Sequence, residues 1–256
     1  MAEADRQAID FRGVSFRLPN GKTLLHALDL QVSAGETLVL LGRSGCGKTT
    51  TLKLINRLLD PTGGEVVIEG KRTTDWDPIR LRRRIGYVIQ EIGLFPHFTV
   101  EDNVGVVPRL EGWEGERIRT RARELLEMVG LDPERFGARY PRELSGGPRQ
   151  RVGVARALAA DPPILLLDEP FGALDPITRR EIQAEFRSLQ KRLGKTMVFV
   201  THDVGEAFLL ASRIALLKDG KVVLLGKPPE FLASREPEVQ AFVACLENPN
   251  PSASAL

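Results

Sequence analysis

Short apolar runs of strand length alternate with longer stretches of helical periodicity along this chain. The runs at Thr37–Leu41, Glu65–Ile68, Arg84–Ile89, Ile164–Leu167 and Thr196–Val200 are rich in Val, Ile and Leu with little alternation. That pattern predicts strands covered on both faces. Thr178–Leu193 predicts a helix, because Ile182, Phe186, Leu189 and Leu193 recur at helical spacing and Gly194 supplies a stop. Ile118, Ala122, Leu125, Leu126 and Val129 form a second stripe on an otherwise charged stretch. Arg213–Leu225 predicts a hairpin turning at Asp219 and Gly220. The first thirty residues predict antiparallel strands with a turn at Pro19, Asn20 and Gly21. The last ten residues, ENPNPSASAL, lack core formers and predict a disordered tail over 247–256. Strands alternating with helices predict an α/β fold around a mainly parallel sheet.

Composition narrows the class. A chain of 256 residues holds one large domain, or one domain with an insertion. Lys and Arg total 36 against 34 Asp and Glu, leaving +2, so the balance shows no electrostatic footprint for nucleic acid. With 42% hydrophobic and 27% charged residues the profile is that of a globular protein. Two cysteines, Cys46 and Cys245, are too few for a disulfide framework or a zinc cluster. The acidic start MAEADRQAID is not a secretory leader. No uncharged apolar run approaches the roughly 20 residues a membrane span needs.

The chemistry begins at Gly42-Arg43-Ser44-Gly45-Cys46-Gly47-Lys48-Thr49, which fits G-x-x-x-x-G-K-[ST] at every fixed position. A strand run precedes it and a helical run to Leu58 follows. Glycines let backbone N–H groups wrap a phosphate, and a helix N-terminus adds partial positive charge. Lys48 is placed to reach the β- and γ-phosphates and Thr49 to ligate Mg²⁺. A chance match arises in about 1% of chains this long, from average residue usage. The same surroundings, a helix N-terminus and Lys48, predict a lowered Cys46 thiol pKa, although an incidental small residue is the plainer account of Cys46 than a redox switch.

Ile164–Leu167 ends in Asp168 and Glu169. At the C-terminal end of a parallel strand Asp168 suits the phosphate-bound Mg²⁺, and Glu169 suits a base that accepts a proton from, or orients, the attacking water. An Asp-Glu pair before Pro170 is by itself more often an acidic turn; the upstream loop reverses that. Lys48 and Asp168 stand 120 residues apart, where a strand–helix–strand unit needs about 30. The interval must therefore hold an insertion, with the charged helical stretch from about 95 to 160 as the candidate. Ser145, Gly146 and Gly147 precede a helix that reaches about Ala160, forming a second helix entry suited to an anion, with Ser145 an N-cap by type. An isolated S-G-G would be ordinary capping.

Leu144-Ser145-Gly146-Gly147-Pro148-Arg149-Gln150-Arg151, ending 17 residues before Asp168, resembles the signature motif of ABC-type ATPases. Other motifs of that family also appear, in order along the chain: Gln90 matches the Q-loop, Ala173-Leu174-Asp175 the D-loop and Thr201-His202-Asp203 the switch histidine. The resemblance covers residues 8 to 245. It implies a P-loop NTPase fold with an N-terminal antiparallel β subdomain and an inserted helical one: about 8–90 and 162–245 as core plus β subdomain, about 91–161 as the helical signature subdomain. It implies ATP and Mg²⁺ as cofactors and a head-to-tail dimer of two copies. ATP would meet one chain's Gly42–Thr49 loop with Thr50, Gln90 and Asp175, and the partner's Ser145, Gly146 and Gly147. Thr49, Gln90 and Asp168 would hold the metal. Lys48, Glu169 and His202 would carry the chemistry, His202 by holding the γ-phosphate and the water.

Two positions depart from the family. Pro148 replaces its glutamine after L-S-G-G, which a first helical turn accepts with the loss of one side-chain contact. Leu18 stands where an aromatic ring usually stacks on adenine, with Phe16 on the same strand face as a substitute.

The stretches Ile85–His97, Lys53–Leu58 and Glu169–Thr178 resemble ATPases of bacterial osmoprotectant importers. That implies a cytoplasmic subunit, peripheral on the inner face of the membrane, that drives uptake of glycine betaine or another quaternary ammonium compound. Its partners would be transmembrane permease subunits and, indirectly, a substrate-binding protein, with no nucleic acid. Ile92, Leu94 and Phe95 suit a helix-in-groove contact with the permease. Many relatives carry C-terminal regulatory domains of cystathionine-synthase type, which the resemblance does not reach here. Aromatics are only 6% of residues, so no aromatic cage for a quaternary ammonium is visible. Two alternatives remain open: an importer ATPase for another cargo (amino acid, anion or lipid), and a non-transport ABC ATPase acting on nucleic acid or ribosomes.

Overall fold

A computed structural model describes residues 6–90 and 93–247. The predicted tail beyond Glu247 and the position Ile92 lie outside the described residues. The chain forms two compact units. One takes in the chain up to Trp76 and again from Thr196; the other is Asp77–Lys195.

In chain order the first unit opens with β1 (Gln7–Arg17), β2 (Thr23–Ser33), β3 (Thr37–Leu41), α1 (Lys48–Ile55), β4 (Gly63–Ile68) and β5 (Lys71–Arg72). The second unit supplies α2 (Pro78–Arg83), β6 (Ile85–Val88), α3 (Val100–Val104), α4 (Val106–Leu110), α5 (Gly115–Met128) and α6 (Pro133–Phe136). It continues with α7 (Gly146–Leu158), β7 (Ile164–Asp168) and α8 (Pro176–Leu193). The chain then returns to the first unit with β8 (Thr196–Thr201), α9 (Val204–Leu210), β9 (Arg213–Lys218), β10 (Lys221–Gly226), α10 (Pro228–Ala233) and α11 (Pro237–Glu247).

The first unit carries an antiparallel sheet ordered β2–β1–β4–β5, in which Phe11 pairs with Leu30 on one side and Val66 on the other. The run Glu65–Ile68 therefore joins the antiparallel sheet, not a parallel one. Only Val66, Val67 and Ile68 of that run are buried, and Glu65 is spent on an ion pair with Arg12 at 2.9 Å. A run this short carries no periodicity that separates the two settings. The unit also carries β3 between β8 and β9, both parallel to it, with β10 antiparallel to β9. All five residues of β3 and all six of β8 are buried, which is why those runs are apolar throughout. The hairpin turns at Asp219 and Gly220 as predicted.

α1 stops at Ile55, short of the predicted Leu58. Arg57 takes a left-handed backbone (φ 52) and its guanidinium donates to the Trp76 carbonyl at 2.8 Å and to Asp60 at 3.0 Å. The Asn56 side chain accepts from Leu58 N–H at 3.2 Å. These local bonds compete with another helical turn.

In the second unit β6 and β7 run parallel, with Tyr87 opposite Leu166. Ile118, Ala122, Leu125 and Leu126 are the buried face of α5. Arg121 donates to the last carbonyls of the α7 segment, Leu158 at 3.5 Å and Ala159 at 3.3 Å, so that helix closes just before Ala160. α8 buries Ile182, Phe186 and Leu189 and ends at Gly194, whose left-handed backbone stops it.

Candidate functional site

The phosphate loop leaves buried β3 and enters α1 in the first unit. Its glycines are sterically required at two points. A Cβ on Gly42 would strike the Leu217 carbonyl and Cys46 Sγ, and a Cβ on Gly47, at φ 108, would sit 2.6 Å from Leu25. Lys48 is 5% exposed, and its ammonium donates to the Gly42 and Arg43 carbonyls at 2.7 and 3.0 Å. Two of its three donors are thus fixed within the loop. No side chain caps α1, and its N-terminus carries the partial positive charge of a helix start. Arg43, Ser44 and Gly45 are exposed, and Thr49 and Thr50 are half-buried. Beside the loop lies a cleft of about 590 Å³ lined by Arg43, Ser44, Gly45, Cys46, Lys218 and Asp219. Glu238 of α11 closes one side, accepting from Lys218 at 2.7 Å and from Arg43 at 2.9 Å.

Cys46 corrects one sequence expectation. Burial pushes its thiol up, and the opposing pull of Lys48 is smaller. The helix entry therefore does not make it a reactive thiolate. Phe16 is 9% exposed in the core of its unit, so its ring is not presented for stacking. Leu18 is half-buried at the turn.

The second unit holds the carboxylates. Asp168 ends the fully buried β7 and is itself 4% exposed. Tyr87 Oη donates to its Oδ2 at 3.3 Å. Burial, and then the Asp168 charge, raise the Tyr87 pKa strongly, so the phenol stays protonated and remains a donor. Glu169 is half-buried and takes a left-handed backbone, φ 44. A non-glycine residue there costs about 1–3 kcal/mol, a strain found most often at functional sites. Gln90 Nε2 approaches Glu169 Oε2 at 3.4 Å. β6 and the turn after it thus send one donor to each carboxylate.

The chemistry here suits Mg²⁺: the Asp168 carboxylate is a hard oxygen donor of the kind that ion takes. Among the described residues no group of three or more His, Cys, Asp or Glu side chains could hold a metal alone. Magnesium at phosphate sites takes one or two protein ligands and fills its shell with phosphate and water.

Ser145 sits at the N-cap position of α7, yet its side chain makes no capping bond. Capping by type does not describe what this residue does. Ser145 and Gly146 are exposed, while Gly147 packs so that a Cβ would lie 3.0 Å from Thr178 of α8. Pro148 occupies the first turn of α7, where no intrahelical N–H bond is lost.

Asp175 accepts from Ile177 and Thr178 N–H at 3.2 and 3.1 Å and caps α8. The Thr178 bond is the first cause of its lowered pKa. Its carboxylate is thus committed to the helix. Arg179 reaches back to the Phe171 and Leu174 carbonyls at 3.2 and 3.1 Å and fixes the loop before Asp175. In the first unit His202 follows β8 and is exposed. Its neighbours are locked: Asp203 caps α9, and Thr201 donates to Glu206 at 2.5 Å.

Three residues that the motifs do not mark shape the second unit. Asn103, fully buried, accepts from Phe95 N–H at 2.8 Å and donates to the Phe95, Phe98 and Thr99 carbonyls. It holds the loop that exposes Phe95, 41% accessible. Arg156 of α7 donates to the Gly93 carbonyl at 2.6 Å, tying that loop to the signature helix. Tyr87 is the third. Arg156 gives no signal in sequence because its partner lies 63 residues away, and Asn103 gives none because no motif marks the neighbouring loop it holds.

The family described as ABC transporter matches residues 25–172. The glycine betaine/carnitine/choline transport ATP-binding protein OpuCA of Bacillus subtilis is 54% identical over 224 residues, 87% of this chain and 59% of that protein. The osmoprotectant import ATP-binding protein OsmV of Salmonella typhimurium is 55% identical over 217 residues, 84% of this chain and 57% of that protein. The chain spans about three fifths of the length of these curated relatives. The solved dimeric post-hydrolysis state of the ATP-binding cassette MJ0796, bound to ADP and Pi, has a TM-score of 0.76 and 39% identity. That match covers 86% of this chain and 98% of the other. With a phosphate loop, a paired carboxylate strand end, a signature turn and these relatives, the chain belongs to the ABC transporter family of ATP-binding proteins.

Proposed function

We propose that this chain is the Mg²⁺-dependent ATP-hydrolysing subunit of an importer for a compatible solute such as glycine betaine or another quaternary ammonium compound. The observation that carries the ATPase reading is the pair of separate helix entries, each suited to an anion and neither capped by a side chain. One is the uncapped start of α1 with Lys48; the other is the start of α7, where the Ser145 hydroxyl is not spent on capping. A single chain with two such entries suits a dimer in which each nucleotide meets one of each. The cargo rests on the likeness to the two osmoprotectant proteins.

On this reading Gly42–Thr50 bind the phosphates, with Lys48 neutralising the β- and γ-groups. Thr49, Gln90 and Asp168 would hold Mg²⁺, which when bound would offset the charge of the phosphates. Glu169 takes the proton of the attacking water, and His202 orients the γ-phosphate. Ser145, Gly146 and Gly147 meet the nucleotide of the second copy. Asp175 acts by fixing the start of α8. Residues 8–90 and 162–245 form the core with its β subdomain, and 91–161 the part bearing the signature turn. The permease grips the segment around Leu94 and exposed Phe95, and the chain sits on the inner face of the cell membrane.

Glu169→Gln tests the assignment. Removal of a general base lowers turnover by about 100- to 10,000-fold, with ATP binding retained. Unchanged turnover would take Glu169 out of its role.

A further inference from the structure

We infer that Tyr87 is a positioning residue for Asp168, holding the metal-binding carboxylate by a hydrogen bond donated from the wall of a groove. The inference rests on the proposed role of Asp168 in binding Mg²⁺.

The register makes the contact. Tyr87 pairs with Leu166 on the parallel neighbour β7. Asp168 lies two residues further along β7, so its side chain emerges on the same face as that of Leu166. Two residues of strand span about 6.6 Å, a gap that a phenol bridges and that a serine or threonine hydroxyl does not. The observed contact is 3.3 Å.

Two features hold the donor in place. A Cβ on Gly86 would run into the Ala157 carbonyl, so β6 lies directly on α7 with no room to shift. The ring forms part of a groove of about 280 Å³ together with Phe95, Val106, Val107 and Arg156. The hydroxyl thus comes from a fixed strand and a packed ring.

Asp168 is buried, so the rotation of its carboxylate is set by protein partners. Mg²⁺ demands near-ideal octahedral geometry and punishes a misaligned ligand. Hydrogen bonds that orient a metal ligand are commonly worth about 10- to 100-fold in metal affinity.

The test measures binding of a fluorescent ATP analogue, with Mg²⁺ titrated and in EDTA, for the full chain and for Tyr87→Phe, Tyr87→Met and Asp168→Asn. Phe keeps the ring and Met keeps the groove filled; both remove the hydroxyl, so either variant gives the answer. The expected result is unchanged affinity in EDTA and a Mg²⁺ half-saturation raised about tenfold, at the low end for such bonds. Wild-type Mg²⁺ dependence in both Tyr87 variants, with Asp168→Asn losing it, would overturn the role of Tyr87 and leave that of Asp168 standing. Affinity lost equally in EDTA would also overturn it, as a general packing effect. Wild-type Mg²⁺ dependence in Asp168→Asn would overturn the metal assignment and this inference together.

Discussion

Burial decides the chemistry of the phosphate loop residue by residue. Cys46 and Lys48 share one turn, yet the thiol is pushed up by burial against the pull of the ammonium. Cys245 is exposed. Iodoacetamide at neutral pH should label Cys245 well before Cys46, read by mass spectrometry. Equal labelling rates would contradict the buried, protonated Cys46. The loop is legible in sequence because its geometry forbids side chains at fixed places: Gly42 and Gly47 have no room for a Cβ. Asp168 and Glu169 stand out only because the phosphate loop lies upstream, since a carboxylate pair before a proline is by itself more often an acidic turn. Tyr87 is not legible, since its partner lies 81 residues away and only the fold brings it near, and Asn103 is not because no motif marks the loop it holds, four to eight residues before it.

Elements carry the next level. Gly86→Ala would press β6 against the α7 backbone at Ala157. Overpacking of this kind costs about 1–3 kcal/mol, read as a lower urea midpoint. An unchanged midpoint would contradict the close packing of β6 on α7. Asn103→Ala strips the Phe95 loop of four hydrogen bonds and leaves backbone groups unpaired, each at about 1–3 kcal/mol where water cannot reach. Amide exchange should quicken over residues 95–99 and stay unchanged in the phosphate loop. Equal protection in the variant would refute the anchoring. α5 and α8 were readable from their stripes, because a long amphipathic period has one interpretation. The run Glu65–Ile68 and the last turn of α1 were not. A three-residue apolar run fits either kind of sheet, and the Arg57 bonds that shorten α1 come from carbonyls up to nineteen residues away.

At the scale of the whole molecule the chain leaves its first compact unit at Trp76 and re-enters it at Thr196. The 120-residue spacing between Lys48 and Asp168 already required an intervening segment. It could not say that β6 and β7 would pack with the helices of that segment, because contact between elements is not written in spacing. No helix among the described residues is long and apolar enough to cross a membrane. The phosphate loop and the signature turn each lead into a helix with no side-chain cap, and the central proposal is that one ATP needs both, from two copies. Sedimentation velocity of Glu169→Gln with ATP tests this most directly. The account predicts an ATP-dependent dimer that reverts to monomer when Ser145→Arg is added. A monomer in the single variant, or a dimer that survives Ser145→Arg, would contradict it.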